Sequence, residues 1–292
     1  MRTIRPTSRG PASTADVMAV SCPPMPSKST LAAFRRRVVT WFKKNGRDLP
    51  WRRTRDPYRV LVSEFMLQQT QVSRVEGFYH RFLAEYPDLG ALAAATPSMV
   101  RESWEGLGYY RRATNLHRLA QTVVSERNGA IPADVEELRT LPGVGRYTAG
   151  AVASFAFERA EPAVDTNVAR VLRRAFHPRA GPKAHDQHKL WDTAARLVPR
   201  PGPNAWAFNQ GLMELGALVC TAREARCPIC PVRPVCSTGR APSAERRVPS
   251  PTAGPSPRRT APGGPGARRS SRNGPASSGA RRTGQAERPD RS

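Results

Sequence analysis

Acidic residues are scarce in this 292-residue chain: 23 Asp and Glu stand against 47 Lys and Arg, a formal charge of +24. So lopsided a balance points to a polyanionic partner. The surplus is not only terminal. Residues 241–292 hold 11 Arg and 3 acids, yet residues 29–240 still keep +13 of the total. Long apolar runs are absent as well; nothing approaches the roughly 18 apolar residues of a membrane-spanning helix. The N-terminus has basic residues but no apolar stretch behind them, so it lacks the pattern of a secretory leader. Residues 241–292 contain no Leu, Ile, Met, Phe, Trp or Tyr, and Val248 is their only Val. Such a segment cannot bury enough surface to offset its ordering entropy, and residues 1–28, rich in Pro, Ser, Arg and Thr, have no apolar period either. Both ends are expected to be disordered. Period-two alternation is scarce too, which argues against a β architecture.

Cysteine is nearly absent outside one place. Four of the five sit within seventeen residues, as Cys220, Cys227, Cys230 and Cys236, spaced C-x6-C-x2-C-x5-C. The fifth, Cys22, is incidental. Compact four-cysteine runs read as metal sites. Structural zinc usually takes two short Cys-x2-Cys hooks. Here one short hook has a longer reach on each side, which suits a larger object, a [4Fe–4S] cube with a thiolate at each iron. Disulfides are the alternative and need an oxidising compartment. Free thiolates fit a soluble, reducing, intracellular setting.

Residues 29–240 carry a helical pattern. Ser29 or Thr30 can cap a helix bearing Leu31, Phe34, Val38, Trp41 and Phe42 that stops near Gly46. Asp56-Pro57 is a cap followed by proline at the first helical position, opening a helix with Val60, Leu61, Phe65, Met66 and Leu67. Further helices are expected near 73–84, 98–106, 112–127, 134–140, 148–158, 165–176, 185–198 and 204–219. The fold class is therefore all-α, with many short helices. Between two of them stands Leu141-Pro142-Gly143-Val144-Gly145. Gly143 and Gly145 permit positive φ, a tight turn and close approach to another chain. The freed N–H groups and the following helix start make a nest for an anion. An ordinary interhelical turn is the competing reading.

Two carboxylates stand out. Glu64 lies in an apolar helix, between Val62 and Phe65-Met66-Leu67, where burial disfavours the charged form and raises the pKa. Asp165 precedes the helix near 166–176 and suits its N-cap, a position that holds a carboxylate rigid and ionised.

With the cysteine run and the hairpin, several segments resemble the helix-hairpin-helix DNA glycosylases that end in an iron–sulfur loop, the endonuclease III superfamily. Val62-Ser63-Glu64-Phe65-Met66-Leu67-Gln68-Gln69-Thr70-Gln71-Val72 and Trp104-Glu105-Gly106-Leu107-Gly108-Tyr109-Tyr110 are similar to signatures of its A/G-specific adenine glycosylases, the MutY family. Ala163-Val164-Asp165-Thr166-Asn167-Val168 fits the superfamily. The resemblance covers roughly residues 29–240. It implies a two-lobed fold, with a helical barrel carrying the hairpin 141–145 and an iron–sulfur lobe formed by 29–50 with 165–240. It implies base-excision repair: hydrolysis of the N-glycosidic bond of adenine mispaired with guanine or 8-oxoguanine in double-stranded DNA, by a cytoplasmic monomer.

The resemblance also assigns roles. Glu64 protonates the adenine and then assists the incoming water. Asp165 faces the sugar cation, and Asn167 orients that site. Such a pair of carboxyls answers the two needs of glycosidic cleavage, a proton for the leaving group and negative charge for the sugar. Tyr147 stands where the endonuclease III branch has a lysine. A phenol forms no Schiff base, so a monofunctional enzyme is expected. The base must leave the stack to be reached, and Gln69 and Tyr109 fill or wedge the gap. Arg47, Leu49, Trp51, Arg52 and Gln210 match positions lining the adenine pocket. Trp51 could stack on the purine; a core role is equally open to it. Apart from the resemblance, Arg223, Arg226 and Arg233 decorate the cysteine loop, either to present cations to phosphates or simply as solvated side chains. In one respect the chain departs from the family: residues after 240 have no apolar content with which to build the folded domain that helps recognise 8-oxoguanine. Mismatch-specific thymine glycosylases resemble this layout too, and a non-catalytic DNA-binding module with a structural cluster is the reading from another class.

Overall fold

The computed structural model describes residues 26–181 and 183–241. The two ends expected to be disordered lie outside these residues except for 26–28 and Ala241, and Cys22 lies outside them too. Twelve α-helices occur among the described residues: α1 (Lys28–Asn45), α2 (Pro57–Leu67), α3 (Val72–Glu85), α4 (Leu89–Ala94), α5 (Pro97–Ser103), α6 (Arg111–Glu126), α7 (Val135–Arg139), α8 (Arg146–Phe155), α9 (Thr166–Phe176), α10 (Ala184–Leu197), α11 (Pro203–Leu218) and α12 (Ser237–Arg240). The class is all-α. Only an isolated bridge between Cys220 and Ala225 pairs extended backbone among them.

Local chemistry sets the helix starts. Asp56, Asp88, Thr96, Asp134 and Asp165 each cap a helix with a side-chain oxygen that accepts a backbone N–H, which satisfies donors the helix itself leaves orphaned. The α1 cap is a correction: Ser27, not Ser29 or Thr30, accepts the Thr30 N–H. A serine two residues earlier lengthens the helix by about half a turn. The helix α4 was not expected from the sequence. Six residues are too few for a readable period, although its Asp88 cap is a clear start signal.

The described chain buries two apolar cores. One gathers Leu49 and Trp51 with α2 to α8 and ends at Ala163. The other packs Leu31, Phe34 and Val38 of α1 against α9, α10 and α11, with Val232 from the cysteine segment. Met213 touches both. The interval 163–168 therefore passes from one core to the other, and Asp165 sits inside it.

Close backbone approach fixes α8. A Cβ on Gly150 would lie 2.2 Å from the Pro162 carbonyl oxygen. Only a hydrogen fits, so α8 lies directly on the segment that leads to Asp165.

Candidate active site

Glu64 projects from α2 and is 4 % exposed. The Tyr147 hydroxyl, from the first turn of α8, donates to Glu64 Oε2 at 2.8 Å. Burial pushes the Glu64 carboxyl up to about 7; the Tyr147 bond and the charge of Arg52 pull it down, and the charge of Asp165 adds to the rise. Burial also lifts the Tyr147 phenol well above its ordinary value, so it remains a neutral donor.

Asp165 caps α9. Its Oδ1 accepts the Val168 N–H at 2.6 Å and its Oδ2 accepts the Asn167 amide at 2.8 Å. The cap forms as its sequence position implies, but its electrostatics differ from the simple expectation. Burial is the largest influence and raises the Asp165 pKa, while the two hydrogen bonds and the Arg170 charge hold it down. The chain of contacts continues outward. Asn167 Oδ1 accepts from Arg170 at 2.7 Å, and Arg170 donates to the carbonyls of Gly216 and Cys220, both at 2.8 Å.

Arg47 and Arg52 converge on a residue the sequence reading missed. Glu214 of α11 is 1 % exposed. It accepts the Arg47 backbone N–H at 3.0 Å, the Arg47 guanidinium at 2.7 and 2.8 Å, and Arg52 Nη2 at 2.9 Å. Arg52 also donates to Gln210 Oε1 at 2.8 Å. These bonds overcome burial and hold Glu214 down at about 2, so its charge is permanent at neutral pH. The signal for it was present: a Glu inside an apolar run, four residues after Gln210, repeats the pattern that marked Glu64. Leu49 and Trp51, expected in the pocket, are instead buried in the core, with the Trp51 ring edge-on to Tyr79.

Gln69 and Tyr109 are both exposed, and both adopt positive φ, 58° and 51°. For non-glycine residues that conformation costs about 1–3 kcal/mol each and persists only where neighbours impose it. In the hairpin, Gly143 has φ 77°, and a Cβ there would lie 2.7 Å from Asn115 Cβ. Gly145 departs from expectation: it is the extended N-cap of α8, φ −89°, with open space beside it. One glycine makes the turn, not two.

The sequence matches the HhH-GPD superfamily base excision DNA repair protein family over residues 62–195. It is 39 % identical over 212 residues to a thymine-DNA glycosylase of Aeropyrum pernix, an alignment that covers 72 % of this chain and 95 % of that protein. The chain belongs to the HhH-GPD superfamily of base excision DNA repair proteins. It is also 48 % identical over 196 residues to the adenine DNA glycosylase of Mycolicibacterium smegmatis, covering 67 % of this chain and 66 % of that one, just under two thirds of the relative's length. Its backbone superposes on the structure of a thermostable thymine-DNA glycosylase with a TM-score of 0.67 and 32 % identity, over 72 % of this chain and 96 % of the other.

Within this HhH-GPD chain the four cysteines are free thiols. All four line one pocket, walled by Val171, Leu215, Val219 and Val232. Burial and the neighbouring thiols push Cys230 up to about 12, and burial raises Cys236. Arg174 Nη1 lies 3.3 Å from the Cys220 sulfur. Among the described residues no group of three or more His, Cys, Asp or Glu forms the close set of a single-ion site. Arg223, Arg226 and Arg233 are exposed around this loop. No helix among the described residues is long and apolar enough to cross a membrane.

Proposed function

We propose that this protein is a monofunctional DNA glycosylase that hydrolyses the bond between deoxyribose and an adenine mispaired with guanine or 8-oxoguanine. The observation that carries the reading is the buried Glu64 carboxyl, pushed up to about 7 and bonded to a phenol rather than an amine. Glu64 in its protonated form gives its proton to the departing adenine as the glycosidic bond breaks. The sugar becomes cationic, and the Asp165 carboxylate, held by Val168 and Asn167, stabilises it. Water then adds to the anomeric carbon, and its proton returns to the Glu64 carboxylate. Tyr147 has no amine with which to form a Schiff base, so the product is an abasic site in an intact strand. The likeness to an adenine DNA glycosylase supports adenine as the base.

Double-stranded DNA is the partner, met by a monomer inside the cell, with Gln69 and Tyr109 entering the gap and the hairpin 141–145 holding a phosphate. The two cores correspond to a barrel lobe and an iron–sulfur lobe. Cys220, Cys227, Cys230 and Cys236 would hold a [4Fe–4S] cluster. Four thiols spread around one apolar-walled cavity are the right donors for it, and iron's charge would offset the burial that raises Cys230 and Cys236. Bound there, the cluster supplies four iron–thiolate bonds that tie the loop together, and hydrolysis needs no electron from it.

A duplex panel tests the reading. G:A and 8-oxoguanine:A duplexes should release adenine without forming a borohydride-trapped adduct. Base release from G:T alone would transfer the assignment to thymine, the base in the name of the 39 % identical Aeropyrum protein.

A further inference from the structure

Arg112 stands in the first turn of α6 and is 6 % exposed. We infer that Arg112 is a positioning residue that sets Gln69 and Tyr109 together for insertion into the duplex. The inference rests on the proposed entry of those two residues into the gap.

The guanidinium serves two segments at once. Its Nη1 donates toward the carbonyl oxygens of Phe65 at 3.1 Å, Met66 at 2.7 Å and Gln68. Its Nη2 donates toward those of Leu107 at 3.4 Å and Gly108 at 3.0 Å. The first set includes carbonyls that the C-terminal end of α2 leaves without helical partners, where a cation is favourable.

The decisive acceptors are Gln68 and Gly108. Each belongs to the peptide unit immediately before a positive-φ residue, Gln69 in one case and Tyr109 in the other. The angle φ is the rotation between that peptide plane and the residue's own Cα. A hydrogen bond that anchors the plane therefore restricts φ. On the far side of Tyr109, its carbonyl accepts the Arg112 backbone N–H at 2.9 Å. The Arg112 Cζ also lies 5.3 Å from the centre of the Tyr109 ring. Trp104 Nε1 also donates to the Gly108 carbonyl at 3.2 Å and Thr70 Oγ1 to that of Gln68 at 3.4 Å, but Arg112 is the side chain that bonds both planes and so couples two exposed residues from different loops. A lysine cannot replace it: an ammonium is a point charge without the planar fork that reaches both carbonyl sets.

The test is a double-mutant comparison in the full-length protein. Arg112→Lys should slow single-turnover adenine release from a G:A duplex by about tenfold to a hundredfold. It should also reduce the fluorescence rise of a 2-aminopurine placed beside the mismatch. In a background already carrying Gln69→Ala and Tyr109→Ala, the same substitution should cost less than about threefold, because nothing is left to position. Equal losses in both backgrounds would overturn the inference and leave Arg112 a purely structural role. If the Gln69→Ala, Tyr109→Ala pair changes neither signal, the inference falls with the insertion it depends on. The fluorescence reads insertion without requiring cleavage, so a protein that opens the duplex but releases no adenine separates this failure from failure of the proposed reaction. Circular dichroism checks folding, and Arg112→Gln, a planar amide without charge, repeats the comparison if the lysine variant unfolds.

Discussion

In the proposed reaction the acid step falls on one side chain, Glu64. Its carboxyl titrates near 7 because burial penalises the anion more than the Tyr147 bond and Arg52 favour it. A general acid must enter the reaction protonated. Adenine release should therefore be maximal below about pH 7 and fall by about tenfold per unit above it, measured as single-turnover rates. The stability sign follows from the same shift. The folded pKa lies above the ordinary 4.5, so the neutral buried acid favours folding at low pH, and that contribution is lost as pH rises through about 7. Glu64→Gln should thus melt higher than the wild-type protein in alkaline buffer while losing activity. Glu64 was legible in the sequence because an acid among apolar residues is anomalous. Arg112 was not, because an arginine in a polar helix such as α6 looks solvated until its five carbonyl partners are seen.

At the scale of elements, the site depends on how α2, α8, α9 and α11 are held. Glu214 ties the 47–52 segment to α11 through Arg47 and Arg52. Its pKa is lowered to about 2, so its contribution to stability is complete above the ordinary 4.5 and is lost as pH falls toward 2. Glu214→Ala should cost about 3–5 kcal/mol at neutral pH by leaving Arg52 buried without its partner. Chemical denaturation should show that cost shrinking in acid. Gly150→Ala tests the α8 contact: the added methyl must displace the Pro162 carbonyl. A loss of about 1–3 kcal/mol is expected, with slower base release because the segment leading to Asp165 moves. Most helices were readable from caps and apolar period. The hairpin was half readable: the sequence marks a turn, but which glycine takes positive φ is decided by the crowding of Gly143 against Asn115 and Phe65. Trp51 was ambiguous because stacking and core roles ask for the same residue; its ring lies edge-on to Tyr79.

At the scale of the whole chain, the strong excess of cations suits the proposed DNA partner. With +24 formal charges, of which residues 29–240 carry +13, DNA affinity should fall steeply with salt, linearly in log–log coordinates. Removing residues 242–292, with their 11 arginines, should flatten that slope while leaving the maximal rate of adenine release unchanged. The most direct measurement is mass-spectrometric detection of the base freed from a G:A duplex by the 292-residue protein, reconstituted with iron and sulfide, and by its Glu64→Gln variant. We predict free adenine and an intact abasic strand from the former, with a rate lowered about 10²- to 10⁴-fold in the latter. Adenine release that persists undiminished in Glu64→Gln contradicts the assignment.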